Sequence, residues 1–345
     1  MEPMLLMLVV TVAAVALFDF TNGFHDAADM VATVIASRAM RTGTAIAIVS
    51  LFTFLGPLTV GLAVADTVGT FVDIGGSDIH TAQSVVTAAL LAAITYNLAT
   101  WAVGFPSSSS NSLAGGLVGA GLSLLGNGRI NWGVDALLAG HLEGVAKVAA
   151  GLFASPFVGF VVGFAVMKLL MFLFRRFTVR IRAWFVVSQY FSVAWLGFSH
   201  GANDAQKGMA IIGMMLLASG ETESFTVPLW AVLLCTSAIT LGTLFGGWSI
   251  IKTLGFGLYR IRVLHSVANQ TASALVNSLA TAIGAPTSTT QVVTATLLGN
   301  GAAEKPSHVR WKKAGGIVAG WFLNVPVSMG LGALYAGVLI RVLGG

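Results

Sequence analysis

Charge is what this sequence has least of. Only 9% of its 345 residues are Asp, Glu, Lys or Arg, while 56% are hydrophobic. A soluble domain carries about 25% charged residues, so the shortage excludes a water-soluble globular protein and places the chain in a bilayer. Cysteine is nearly absent too. Cys235 stands alone, which rules out intrachain disulfides and Cys-rich metal sites. The first apolar run, residues 4–18, lacks the basic start and small-residue cleavage site of a secretory signal, so it reads as mature structure. No stretch has the composition of a separate soluble domain.

What is present is a succession of apolar runs near the roughly 20 residues that a spanning helix needs, with 41 glycines of the kind that let membrane helices approach closely. Spans are expected at about 4–35, 44–65, 81–103 and 136–174, then 183–217, 229–251, a run ending at 285, and a last stretch reaching 340. Two shorter apolar segments, to Leu125 and to Leu298, follow Pro-Ser/Thr stretches. The fold expected is an all-α polytopic membrane protein.

The chain contains its plan twice. Asn22-Gly23-Phe24-His25-Asp26 aligns with His200-Gly201-Ala202-Asn203-Asp204; further on, Asn97, Gly104 and Pro106 match Asn277, Gly284 and Pro286 at one offset. The repeats are expected at 1–174 and 184–345, joined by a basic linker at 175–183. Charge sets their orientation. Arg38, Arg41, the linker arginines, Lys252 to Arg262 and Lys305 to Lys313 fall on one side, which holds most of the 18 Lys and Arg. Asp66, Asp73, Asp78, Glu221 and Glu223 fall on the other. By the positive-inside rule the basic side is cytoplasmic and both termini face out. The loop after the second span is then outside in one half and inside in the other, so the repeats have inverted topology, an architecture of secondary transporters.

Polar residues at membrane depth are costly and default to function. A scaffold has no use for Asp19, Asp26, Asp29, Asp204, Glu143, Lys147 and Lys207 there. The stretches around Gly23 and Gly201 are expected to be helix interruptions, the glycines supplying backbone freedom. Freed carbonyls with Asp26 and Asp204 would suit a small hard cation; Asn22, Asp26, Asn203 and Asp204 form the expected sodium set. The Pro-Ser/Thr stretches supply the opposite sign. Ser107-Ser108-Ser109-Ser110 and Thr287-Ser288-Thr289-Thr290 read as helix starts, whose amides, hydroxyls and positive dipole ends attract an oxyanion. Phosphate keeps a P–OH near neutral pH and can donate to Asp26 or Asp204. Sulfate can only accept, so an acceptor-rich site disfavours it. A hydrolase is disfavoured because Ser199 and His200 are neighbours that point apart on a helix.

These four ordered motifs resemble those of the inorganic phosphate transporter (PiT) family in its compact prokaryotic form, over essentially the whole chain. The resemblance implies a phosphate symporter driven by sodium or protons, inverted repeats with two hairpins around a central site, and a homodimer in the cell membrane. No cofactor beyond the coupling ion is expected. Asp26 and Asp204 match the signature aspartates, and Ser107 to Ser110 and Thr287 to Thr290 match the substrate hairpins. Asp29 stands where the family usually has Asn, Asn111 and Gln291 where a His is usual, Gln270 where a Glu is common, and Thr53 where some members carry Glu. Fewer titratable groups favour sodium over protons. Carriage of sulfate or another tetrahedral oxyanion is the alternative.

Overall fold

Ser108 and Ser288 begin two helices in the same way. Each holds an extended backbone, and its hydroxyl accepts from the amide three residues on, Asn111 at 3.1 Å and Gln291 at 3.3 Å. This is N-capping by serine, and it starts α5 (Ser109–Leu124) and α12 (Thr289–Glu304) where the Pro-Ser/Thr motifs predict. The computed structural model describes residues 2–70, 72–74, 77–176 and 181–343. The remaining helices of the first half are α1 (Glu2–Ser37), α2 (Thr42–Thr59), α3 (Ala63–Gly69), α4 (Ile79–Ala102), α6 (Val134–Leu138) and α7 (Gly144–Leu173). Those of the second are α8 (Arg182–Ala218), α9 (Leu229–Phe245), α10 (Trp248–Gly257), α11 (Val263–Ala282) and α13 (Trp311–Leu343). Part of the expected linker, 177–180, lies outside the described residues.

The protein is an all-helical multi-pass membrane protein. Five described helices are long and apolar enough to cross a bilayer, six if the bent pair α9–α10 counts as one span. At 37 residues α8 adds about 56 Å of helix, and its polar groups are buried inside the bundle. Phe157, Phe191, Phe245 and Phe322 are exposed, as on a surface solvated by lipid, while Asp, Asn, Ser and Thr fill the interior.

The halves interlock. The first helix of each lies on the second helix of the other, α1 on α9 and α8 on α2, and likewise α5 packs on α13 and α12 on α7. Direction follows from the contacts between α1 and α8. Asp19 meets Gly208, Asp26 meets Asp204, and Ser37 meets Gln189. Rising numbers on one helix face falling numbers on the other, so these repeat mates run antiparallel. An inverted repeat requires this relation of its first helices.

One expectation is overturned. The stretches around Gly23 and Gly201 do not interrupt their helices; α1 and α8 run unbroken through them. The glycines are there for approach. A Cβ on Gly23 would sit 2.0 Å from the Ile239 carbonyl oxygen, and one on Gly201 would sit 2.1 Å from that of Thr53. The interruptions fall instead in the second span of each half. α2 gives way to α3 at 60–62, and α9 bends by 69° into α10 near the left-handed Gly246. At the first break the start of α3 needs acceptors. Gln206 supplies one, its carbonyl accepting from Val64 and Ala65 at 3.0 and 3.1 Å while its amide donates to Gly61. In the repeat alignment the mate of Gln206 is Ala28, and that break closes by small-residue contact between Ala28 and Gly247.

A second expectation changes. The long stretch 136–174 is split into α6 and α7. Glu143 is more than half exposed and faces His141 at 3.4 Å rather than Lys147, whose ammonium donates to Thr67 at 3.0 Å.

Candidate functional site

Where α1 and α8 cross, they meet the starts of α5 and α12. Asn22, His25, Asp26 and Asp29 lie on one face of α1 because they are three or four residues apart. Asn22 accepts from Ser109 at 2.6 Å, and His25 reaches Ser107 with Nε2 at 3.3 Å and Asp26 with Nδ1 at 3.0 Å. Thr290, from the other half, donates to Asp26 at 3.1 Å and to Asp29 at 2.5 Å.

From α8, His200 Nδ1 lies 2.8 Å from Asp204 and 3.1 Å from Thr289, and Thr289 donates to Asp204 at 2.6 Å. Lys207 pairs with Asp204 and donates to Ser110 at 2.5 Å and to the Thr287 carbonyl at 2.8 Å. Asn203 is committed to the hairpin: it accepts from the Thr287 amide and donates to Thr281 and to the Ala285 carbonyl. The two helix starts touch directly, Ser110 donating to the Thr287 carbonyl at 2.9 Å. All of these side chains are buried.

Every expected oxyanion residue therefore converges on one locus, with Ser108 and Ser288 set back as caps. The first-turn amides of Ser109, Ser110, Thr289 and Thr290 precede the intrahelical ladder and are available to an anion. Of the expected sodium set, Asp26 and Asp204 stand at the centre, Asn22 holds Ser109, and Asn203 holds backbone. Two carboxylate–histidine groups, His25–Asp26–Asp29 and Asp26–His200–Asp204, are compact enough to share a cation. Asp29 joins the site although its part is not legible in the motifs; its spacing from Asn22 and Asp26 is the signal. Asn277, read only as a repeat marker, contacts Thr289 and Thr287 at 3.3 and 3.4 Å. Asp19 is buried beside Gly208, and no hydrogen bond to either hairpin is recorded for it.

A polar column leads from the site to one end of the bundle. One turn of α1 beyond Asp29, Thr33 accepts from Ser266 at 3.1 Å; Ser192 donates to Gln270 at 2.7 Å; Gln189 donates to Ser37 at 3.4 Å. Gln189 Oε1, Gln270 Nε2 and Asn269 Oδ1 are buried without a protein partner, which marks a route that water can line. Beyond Ser37 lies a cavity of about 860 Å³ bordered by Arg38, Arg182, Arg260, Arg262 and Arg310.

Antiparallel first helices from the two halves, two helix starts and buried carboxylates facing one locus are features found together in membrane transporters. The comparisons with known proteins agree. The sequence profile of the phosphate transporter family matches residues 22–186 and 175–332, and this chain belongs to that family. It is 41% identical over 331 residues, 95% of each chain, to a probable low-affinity inorganic phosphate transporter of Rhizobium meliloti (strain 1021). It is 33% identical to a protein of the same description from Bacillus subtilis (strain 168), over 97% of each chain. The relatives are transporters, in keeping with the reading against an enzyme. A solved structure described as the sodium-dependent phosphate transporter shares the fold, with a TM-score of 0.82 over 97% of this chain and 99% of that one, at 22% identity.

Proposed function

We propose that the protein imports inorganic phosphate across the cell membrane as a sodium-coupled symporter working by alternating access. The observation that carries this is the meeting of the two N-capped helix starts, tied by Ser110 and Thr287, against Asp26, Asp29 and Asp204. Amides and hydroxyls suit the anion's oxygens. The carboxylates accept from its P–OH and hold the cation that offsets their charge. Sodium fits a site built from hydroxyl and carboxylate oxygens. The solved relative described as sodium-dependent supports the same reading.

The halves, 1–174 and 184–345 with the linker 175–183 between, rock about the shared site. The arginine-lined cavity and its polar column form the cytoplasmic mouth; both termini face out, and the working unit is a homodimer. The test is uptake of labelled phosphate into proteoliposomes with an imposed sodium gradient. Accumulation above equilibrium that needs sodium and yields to unlabelled phosphate is expected. Uptake indifferent to excess phosphate, or competed equally by sulfate, would overturn the substrate assignment in favour of another tetrahedral oxyanion.

A further inference from the structure

At the site the two halves share three contacts between equivalent positions. The alignment that puts Gly23 on Gly201 also puts Asn22 on His200, His25 on Asn203, Asp26 on Asp204 and Asp29 on Lys207. Asn22 holds Ser109 as His200 holds Thr289. His25 reaches Ser107 as Asn203 reaches Thr287. Asp29 takes Thr290 of the other half's hairpin as Lys207 takes Ser110. In this last pair the equivalence of position comes with opposite charge.

The surroundings of the two differ accordingly. The Lys207 ammonium is met by three oxygens: the Asp204 carboxylate, the Ser110 hydroxyl and the Thr287 carbonyl. An ammonium has three protons, so its donors match these acceptors one for one. These are hard oxygen ligands that also suit a sodium ion, which transporters of this kind hold with free backbone carbonyls. On the mirror side Thr290 donates to both Asp26 and Asp29, and Asp29 Oδ1 is buried without a partner. No lysine or arginine among the described residues is recorded in contact with that pair of carboxylates; the bases recorded near them are His25, bonded to Asp26, and His200, which lies close to Asp26 and is bonded to Asp204.

We propose that Lys207 is a tethered cation. Its ammonium permanently fills one of two equivalent cation sites, so an alkali-metal ion binds only on the Asp26–Asp29–Thr290 side. This rests on the reading of the protein as a cation-coupled phosphate carrier. It adds to that reading that one coupling ion has been replaced by a side chain, which lowers the number of ions moved with each phosphate.

The test is Lys207→Asn, which keeps an oxygen ligand and removes the charge, with Lys207→Met, which removes both, as control. Each is purified in sodium, then compared with wild type by thermal unfolding in sodium and in choline. Lys207→Asn is expected to melt lower than wild type in choline and to recover in sodium by more than wild type gains; Lys207→Met is expected to recover less. In proteoliposomes the ratio of sodium to phosphate carried by Lys207→Asn, taken from reversal potentials, is expected to exceed the wild-type ratio by one ion. A Lys207→Asn protein that melts as wild type does, that gains no more from sodium than wild type, or that cannot be kept folded even in sodium overturns the proposal. So does an unchanged ratio in a variant that still transports. The unfolding comparison contains no phosphate. A wild type that fails to carry phosphate would therefore defeat the functional reading and leave this result standing on its own.

Discussion

Ser110 donates a 2.9 Å hydrogen bond to the carbonyl of Thr287, and both oxygens also accept from Lys207. The start of α5 and the segment before α12 are thereby tied together. Removing the hydroxyl takes a hydrogen bond from a charged group, worth about 1.5–3 kcal/mol. Ser110→Ala is therefore expected to cut phosphate uptake roughly tenfold to a hundredfold, since each 1.4 kcal/mol is a factor of about ten. Ser112→Ala is the comparison. Its hydroxyl donates to Ser108 and Asn324, outside the locus, so it should lower the unfolding temperature with a much smaller effect on uptake. Rates normalised to folded protein in the membrane check both.

The glycines of the two signature stretches give a second prediction. A methyl on Gly23 or Gly201 would enter the backbone of the neighbouring helix, which has no side chain to move aside. Overpacking of this kind costs about 1–3 kcal/mol, occasionally more. Gly23→Ala and Gly201→Ala should each lower the unfolding temperature in detergent and reduce recovery of folded protein. Gly43, inside α2 with open space at its Cβ, is the opposite case. There, in the first turn, alanine should stabilise slightly, by less than the roughly 0.5–1 kcal/mol that it gains over glycine in a helix interior.

These glycines also show what the sequence could convey. The helix starts at Ser109 and Thr289 were legible because a cap is a local matter, a hydroxyl three residues before the amide that it serves. The antiparallel run of α1 against α8 agrees with the orientation that the placement of charge leads one to expect. The expected interruptions at Asn22–Asp29 and around Gly201 were misplaced because glycine among polar residues serves either backbone freedom or close packing. Only the partner helix, Ile239 or Thr53, decides between them. The real breaks at 60–62 and 246–247 sit in apolar runs with little to announce them. One of them depends on Gln206, more than a hundred residues away. The pairing of Lys207 with Asp204 has i,i+3 spacing and was visible as a possibility; its two contacts to the hairpins were not.

The arginine-lined cavity makes a kinetic prediction. Arg38, Arg182 and Arg260 border it with no acidic partner recorded, and a cleft lined by one sign of charge concentrates the opposite ion. If anions pass here, replacing all three with glutamine should raise the KM for phosphate measured from the cytoplasmic face and leave the maximal rate little changed. The wild-type advantage should also shrink as salt rises, because exposed charges are screened over about 10 Å at 0.1 M. An unchanged KM from that face, at low salt, would remove the cavity from the path.

Asp204 and Lys207 are buried together, so the effect of removing either is set by what remains. Taking one partner from a buried pair costs about 3–5 kcal/mol, whereas replacing both with apolar groups of similar size is often neutral. Asp204→Asn should therefore be as destabilising as Lys207→Met, and the double variant less destabilised than the sum of the two. The signs left behind differ. Lys207→Met leaves a carboxylate, which His200 at 2.8 Å and Thr289 at 2.6 Å continue to hold. Asp204→Asn leaves an ammonium whose bonded acceptors, the Ser110 hydroxyl, the Thr287 carbonyl and the new amide oxygen, carry no charge. Adding sodium should thus raise the unfolding temperature of Asp204→Asn no more than that of wild type, while a divalent oxyanion should raise it further. A double-mutant cycle of unfolding temperatures in sodium chloride and in sodium phosphate reads both effects. Coupling near zero would mean that the pair is not the electrostatic unit its geometry describes.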